Sequence, residues 1–150
     1  MNYRKATIDD IQILARYRKQ QLIDEGLPLN ANMNIDKDLS DYFISSISNG
    51  SLISWLAEDN GKIIATSGIC FYQLPPTFSN PTGRVAYITN MYTLPEYRKH
   101  GIASRLLKLV VDEAIKLEYK LIRLHASDDG KSIYSKIGFV DTDGYMAMRL

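Results

Sequence analysis

The chain has 150 residues, enough for one domain whose buried core needs no disulfide or metal. Its 18 basic and 17 acidic side chains leave a net charge of +1, so the charge balance does not favour nucleic acid as a partner. No stretch approaches the length of an apolar membrane span, and the N-terminus lacks the apolar core of a signal peptide. These features predict a single domain over residues 1–150 that is cytoplasmic and has no membrane partner.

The first half of the chain predicts one strand, two helices and a hairpin. Thr7 and Asp10 have the spacing of a capping box, which marks the start of a helix. The sequence Asn60-Gly61 is the favoured composition of a tight turn between two strands. The predicted elements are a strand Tyr3–Ala6, a helix Ile8–Asp24, a loop Glu25–Asp36, a helix Lys37–Ser48, and strands Leu52–Glu58 and Lys62–Tyr72.

The second half alternates strands and helices after a proline-rich loop. The predicted elements are the loop Pro75–Gly83, a buried strand Val85–Thr93, a turn Leu94–Gly101, a helix Ile102–Leu117, a strand Lys120–Ala126, a short helix Asp129–Lys136, and one or two strands within Phe139–Leu150. This order predicts an α/β (mixed α+β) fold, with a central mixed sheet of six or seven strands and helices on both faces.

Two residue types that often carry chemistry, cysteine and histidine, are sparse. Cys70 is the only cysteine and lies in an apolar stretch, so we predict a buried structural thiol in a reducing compartment. A reactive cysteine would need an exposed site and a nearby base. His100 and His125 are isolated in the sequence, and no metal site is predicted.

A loop rich in hydrogen-bond donors, Arg98-Lys99-His100-Gly101-Ile102-Ala103, separates the buried strand from an amphipathic helix. The first turn of a helix has free N–H groups at the positive end of its dipole, and the amides before it can form an anion nest. Gly101 and Ala103 let a ligand approach closely, while Arg98, Lys99 and Ser104 add charge or a hydroxyl. The pattern favours a pyrophosphate site. Gly101 could instead be a simple turn glycine, and His100 could equally be exposed or contact a phosphate.

This loop resembles motif A of the GNAT acetyltransferase superfamily, Gln/Arg-x-x-Gly-x-Gly/Ala. The segment Tyr134-Ser135-Lys136-Ile137-Gly138-Phe139 resembles the family's second signature, Tyr-x-Lys-x-Gly-Phe, in the expected order and separation. Ser127 and Gly130 depart from the pattern, since many relatives carry asparagine and alanine there. The resemblance implies a GNAT-like sheet, acetyl-CoA as cosubstrate without a metal, and acetyl transfer to an amine of a small molecule or peptide.

The resemblance also implies catalytic roles. Tyr134 matches the general acid that protonates the departing CoA thiolate, although it could be an apolar ring packed beside Ile133. A bulge near Asn90 to Tyr92 would free a backbone N–H, that of Met91 or Tyr92, to bind the thioester carbonyl.

The cofactor-binding residues implied by the resemblance lie on the buried strand, the donor-rich loop and the second signature. They are Met91, Tyr92, Thr93, Arg98, Lys99, His100, Gly101, Ile102, Ala103, Ser104, Ser127 and Tyr134. Thr93 would bind the pantetheine arm through its backbone.

The acceptor amine and the general base stay open at this point. Conceivable bases are a water chain or one of the carboxylates Glu25, Asp24 and Glu58. Residues that could attract a cationic amine or line an apolar cleft are Asp24, Glu25, Asp36, Tyr72, Phe78, Tyr87 and Tyr92, although solvated loops and core packing explain the same residues. A non-catalytic acetyl-CoA-binding or regulatory module is the alternative function, and an edge strand near the C-terminus could support a homodimer.

Overall fold

The computed structural model describes residues 1–27, 34–142, 144 and 146–150. Within them, five strands form one sheet whose spatial order is the order in the chain. The strands are β1 (Asn2–Lys5), β2 (Leu52–Asp59), β3 (Lys62–Gln73), β4 (Arg84–Thr93) and β5 (Ile122–Leu124). All neighbours are antiparallel except β4 and β5, which are parallel and are joined through a helix.

Helices cover both faces of this sheet. They are α1 (Ile11–Asp24), α2 (Asp36–Ser48), α3 (Ile102–Lys116) and the short α4 (Lys131–Ser135). On one face, Leu14 of α1 and Phe43 of α2 pack against Leu56 of β2. On the other face, Leu107 of α3 packs against Ile69 of β3 in a second buried cluster. The predicted mixed α/β class with helices on both faces is therefore confirmed.

Local signals in the sequence account for the start of α1 and for the first hairpin. Thr7 accepts a hydrogen bond from the backbone of Asp9, and Asp10 accepts one from the backbone of Thr7, which completes the predicted capping box. It precedes a 3₁₀ turn, so α1 itself begins at Ile11 rather than at Ile8. Asn60 and Gly61 have φ of 48° and 80°, as a tight hairpin turn requires.

The number of strands differs from the expected six or seven. The C-terminal segment was expected to hold one or two more, but its described residues, 139–142, 144 and 146–150, form no strand. Phe139 instead folds back, donating its N–H to the carbonyl of Tyr134 at 3.2 Å and packing its ring against Tyr134. Met148 is 81% exposed, as expected for a segment that pairs with none of the described strands. Asp143, at the centre of the expected turn, lies outside the described residues.

Three further boundaries bear on the functional site. β5 is shorter than the predicted strand Lys120–Ala126, and α4 is shorter than the predicted helix Asp129–Lys136. The predicted loop Glu25–Asp36 is described only at its two ends.

No helix among the described residues is long and apolar enough to span a bilayer.

Candidate active site

The strands β4 and β5 stop pairing before β4 ends. The parallel ladder runs from Ala86 opposite Ile122 to Ile88 opposite Leu124, whereas β4 continues to Thr93. A cavity of about 1050 Å³ opens beside this unpaired end of β4. Its walls come from the end of α1, the end of β4, the loop and first turn of α3, and the segment 127–136 around α4.

A bulge distorts β4 where it enters the cavity. Thr66 of β3 pairs with Tyr92 and Gly68 pairs with Thr89, so one residue of β3 faces both Asn90 and Met91. Asn90 has a left-handed backbone with φ of 55°, and the hydroxyl of Thr66 donates to its carbonyl at 2.9 Å. The bulge expected near Asn90 to Tyr92 is thus present, and a bulge interrupts the regular pairing of strand N–H groups.

The loop before α3 presents a series of backbone amides to the same cavity. Lys99 and Gly101 have φ of 65° and 76°, while the intervening residue has no positive φ. Such alternation makes a concave nest of N–H groups. The first hydrogen bond of α3 runs from Arg105 N to Gly101 O at 3.0 Å, so the amides of residues 102–104 precede the helical ladder. A Cβ built on Gly101 would meet no atom within 4 Å, because that side of the loop faces open space.

Arg98 lines the cavity and also makes contacts within the protein. Its guanidinium donates to a carboxylate oxygen of Asp24 at 3.0 Å and to the carbonyl of Thr93 at 3.0 Å. It also lies 5.8 Å from the centre of the Tyr92 ring. Arg98 therefore joins the end of β4 to the end of α1, and Lys99 supplies a second positive charge in the cavity wall.

The cavity brings together most of the residues predicted from the sequence. Those that line it are Met91, Tyr92, Thr93, Arg98, Lys99, Gly101, Ile102, Ala103, Ser104, Ser127 and Tyr134. His100 is exposed and is not part of the lining, which agrees with the alternative interpretation of that residue.

Tyr134 is a half-buried residue that packs against Phe139 and lines the cavity. Its ring meets that of Phe139 edge-on, with 6.1 Å between centroids. Burial raises the pKa of its hydroxyl above the ordinary 10.0, and the negative charge of Glu25 adds to the rise. A Cβ added to Gly130 would lie 2.9 Å from Cε2 of Tyr134, so the glycine at this departure from the family pattern makes room for the ring.

The three carboxylates considered as general base differ in their positions relative to the cavity. Glu25 lines the cavity and accepts a hydrogen bond from Gln21 at 2.9 Å. Asp24 also lines it, but a hydrogen bond from Gln20 and the guanidinium of Arg98 hold the pKa of Asp24 below its ordinary value. Glu58 lies on β2, pairs with an arginine of β1 and is absent from the lining.

Other groups considered from the sequence lie elsewhere. Asp36 forms an ion pair with Lys19 at 2.8 Å. Phe78 is 108% exposed, and Tyr72 is also exposed. Among the residues that the structure describes, no three His, Cys, Asp or Glu side chains cluster as a metal site would require.

A second cavity of about 340 Å³ lies between α1, α2 and the sheet. It is lined by Arg18, Leu39, Tyr42, Phe43, Cys70, Tyr87, Thr89 and Asn90. Asn90 is the neighbour of Met91 in the bulge, so adjacent residues of β4 line the two cavities. Arg18 was not among the residues predicted for the site, although it lies seven residues before Glu25, the C-cap of α1, and thus on the same side of this helix.

Cys70 is half-buried in the wall of this second cavity rather than fully buried. Burial raises the pKa of its thiol, so it is protonated at neutral pH, which favours the structural interpretation.

Comparison with known proteins places these features in a wider group. The model of the acetyltransferase (GNAT) family matches residues 20–139. A predicted acetyltransferase from Clostridium acetobutylicum, crystallised with acetyl-CoA, is 47% identical, with 99% of this chain and 95% of that chain covered and a TM-score of 0.93. A GCN5-related N-acetyltransferase from Ralstonia eutropha is 25% identical, with 99% and 97% covered and a TM-score of 0.92.

A curated relative with a known type of activity is more distant. Mouse thialysine N-epsilon-acetyltransferase is 26% identical over 98 residues, which are 61% of this chain. The match spans 55% of the length of that relative.

Proposed function

The chain belongs to the GNAT acetyltransferase family, and on that premise we propose that it transfers an acetyl group from acetyl-CoA directly to an amine of a small molecule or peptide. One observation carries the proposal. The amide nest before α3, the bulge of β4 and the half-buried Tyr134 all line the same cavity.

The residues present fit acetyl-CoA. The free amides of the first turn of α3 and the positive end of its dipole suit a pyrophosphate, and Lys99 adds charge. Thr93 and Ser127 line the same cavity as this nest and Tyr134, and they would contact the pantetheine arm. Acetyl-CoA supplies the activated acetyl group, and the chain supplies binding, orientation and proton transfer.

The bulge has a role in binding the reacting carbonyl. We assign to the backbone N–H of Met91 or Tyr92 a hydrogen bond to the thioester oxygen. A fixed donor at this point stabilises the negative charge that develops on that oxygen during the reaction. Arg98 supports this arrangement because its bonds to Thr93 and Asp24 hold the end of the strand in place.

Two side chains would move protons. The amine nitrogen forms a bond to the acetyl carbon while the bond from that carbon to sulfur breaks. Glu25, directly or through water, accepts the proton that the attacking amine loses. The Tyr134 hydroxyl donates a proton to the departing sulfur and regains one from solvent, so the products are an acetylated amine and the free thiol. The raised pKa of Tyr134 supports this role, since an acid must hold its proton at the working pH.

Release of the CoA thiol from acetyl-CoA tests the proposal over a panel of amines. The panel comprises lysine, thialysine, polyamines, amino sugars and short peptides, and calorimetric titration of acetyl-CoA runs beside it. Fast release with one class of amine supports the proposal. Tight acetyl-CoA binding with no release above solvent hydrolysis across the panel favours the alternative, a non-catalytic binding or regulatory module. Failure to bind acetyl-CoA would overturn both functions.

A further inference from the structure

The smaller cavity has a lining rich in hydrogen-bond donors and without acidic groups. A guanidinium, three hydroxyls and an amide contribute to it, from Arg18, Tyr42, Tyr87, Thr89 and Asn90. No carboxylate stands among its described lining residues. The cavity is therefore suited to a ligand group that accepts hydrogen bonds and carries negative charge.

Arg18 supplies the only full charge in this described lining. Its guanidinium donates to the neutral amide oxygen of Gln21 at 3.2 Å. In the part of the chain that the structure describes, no ion pair includes it. Burial raises the pKa of Tyr42 and of Tyr87, the positive charge of Arg18 opposes both rises, and all three side chains line the same cavity. A half-buried cation without an anionic partner is a natural site for a carboxylate.

Asn90 adds an independent observation at the bulge. It is 3% exposed, and its side-chain Nδ2 has no hydrogen-bond partner among the described residues. A buried donor left without an acceptor is costly, and such groups are rare in folded proteins. Asn90 lines the smaller cavity, so an acceptor atom bound there could satisfy it.

A positive and a negative side chain, Arg18 and Glu25, stand two helical turns apart along α1 and its C-terminal cap. Arg18 lines the smaller cavity, while Gln21 and Glu25 line the larger one. Seven residues of α-helix advance about 10 Å, a distance that a short flexible molecule can span. A molecule with a cationic amine at one end and a carboxylate at the other matches both charges at once.

We propose that the acceptor is an amino acid or a closely related molecule whose carboxylate binds Arg18 and Asn90 in the smaller cavity while its distal amine reaches the bulge beside Glu25. The assignment rests on the proposed acetyl transfer and names its substrate class. Leu39 and Phe43 pack against the intervening methylene chain. One guanidinium matches the single charge of a carboxylate better than the double charge of a phosphate.

The direct test compares matched acceptors that differ only at the carboxylate. They are lysine, lysinamide, the decarboxylated diamine and an aminoalkyl phosphate of similar length, each with its kcat and KM measured. The wild-type protein should have a KM about 10- to 100-fold lower for lysine than for lysinamide, since a charge-assisted hydrogen bond is lost in the amide. Arg18→Gln should raise the KM for lysine to about the KM for lysinamide, so that the difference between the two acceptors disappears.

Arg16→Gln is the matched control, because Arg16 is an exposed residue of the same helix that lines neither cavity. It should keep the wild-type ratio. Asn90→Asp, which replaces the orphan donor with a negative charge, should shift the preference toward the diamine.

A second readout does not depend on turnover. Nε-acetyl-lysine, the expected product, should bind the wild-type protein in a calorimetric titration and bind Arg18→Gln at least about tenfold more weakly. Equal use of lysine and lysinamide by an active wild-type protein would overturn the carboxylate assignment and leave acetyl transfer intact. Preference for the phosphate would overturn it too. No acetylation of any amine, with acetyl-CoA bound, would instead count against the proposed function.

Discussion

The ring of Tyr134 packs against Phe139, and the residue lines the larger cavity. Phe139 and the absence of a side chain at Gly130 together fix where the ring lies. Tyr134 and Glu25 line the same cavity, a position that core packing alone does not explain. The proposal that Tyr134 is the general acid leads to three predictions at the scale of single residues.

Tyr134→Phe keeps the ring and removes the proton. We expect kcat to fall by about 100-fold or more, which is the usual contribution of a positioned general acid. Thermal unfolding should change little, because the packing against Phe139 is retained. Thiol release measured at saturating acetyl-CoA gives kcat, and an unchanged kcat would remove Tyr134 from the mechanism.

The pH profile provides a separate check on the same residue. The pKa of Tyr134 is raised above 10.0, so its proton is present throughout the range below that value. The acceptor amine, with a pKa of about 10.4 if it resembles lysine, becomes more reactive as pH rises. We therefore expect kcat/KM to increase from pH 7 to pH 9.5 without a descending limb. A decline in this range would show that a group of lower pKa serves as the acid.

Gly130→Ala tests the space beside the ring. Gly130 has an ordinary φ of −81°, so alanine introduces no backbone strain. Its Cβ would nevertheless come within 2.9 Å of Tyr134 and displace the ring. We expect kcat to fall several-fold while the melting temperature is maintained. Full activity in this variant would mean that the ring position is not critical.

At the scale of elements, the start of α1 is stabilised by charge. Arg4 donates two hydrogen bonds to the carboxylate of Asp10, each at 2.8 Å. The hydrogen bond from Arg4, with one from the backbone of Thr7, holds the pKa of Asp10 below its ordinary 3.8. A carboxyl whose folded pKa is depressed adds stability above its unfolded pKa and loses it as pH falls through the folded value.

Asp10→Asn removes this charge with little change of shape. We expect the free energy of unfolding at pH 7 to fall by about 1–3 kcal/mol, the value of a cap together with a charge-assisted hydrogen bond. The difference between variant and wild type should shrink as pH falls below about 3.8. Urea unfolding at several pH values measures it, and a difference that stays constant down to pH 2.5 would contradict the account.

Elements with a strong local signal could be predicted from the sequence. The capping box at Thr7 and the turn at Asn60-Gly61 are set by neighbouring residues, and the structure contains both. The prediction of one or two final strands was wrong for the described residues. A strand depends on a partner strand, and segment 146–150 pairs with no described strand. Local composition carries no information on whether such a partner exists.

At the scale of the whole molecule, the site depends on contacts between distant parts of the chain. The nest of backbone amides could be predicted because its residues are consecutive, and its binding of an anion stays a prediction. The pairing of Arg98 with Asp24 could not, since 74 residues separate them and either charge could equally face solvent. The same holds for Arg18, because the cavity that it lines forms only when α2 and β4 pack against α1.

The central claim is that the loop before α3 binds acetyl-CoA, and a pair of glycines in the chain allows a controlled test. Gly101 and Gly50 have φ of 76° and 77°, and a Cβ on either meets no atom within 4 Å. Alanine at each position should therefore bring a similar backbone penalty, about 1–2 kcal/mol. Only Gly101 lines the larger cavity.

The measurement we would make is calorimetric titration of acetyl-CoA into the wild-type protein, Gly101→Ala and Gly50→Ala, with thermal unfolding of all three. We expect both variants to lose similar stability. Only Gly101→Ala should bind acetyl-CoA more weakly, by roughly tenfold or more, because its Cβ keeps the pyrophosphate away from the backbone amides and a charge-assisted hydrogen bond is lost. Wild-type affinity in Gly101→Ala, or an equal loss of affinity in both variants, would contradict the claim that this loop holds the pyrophosphate.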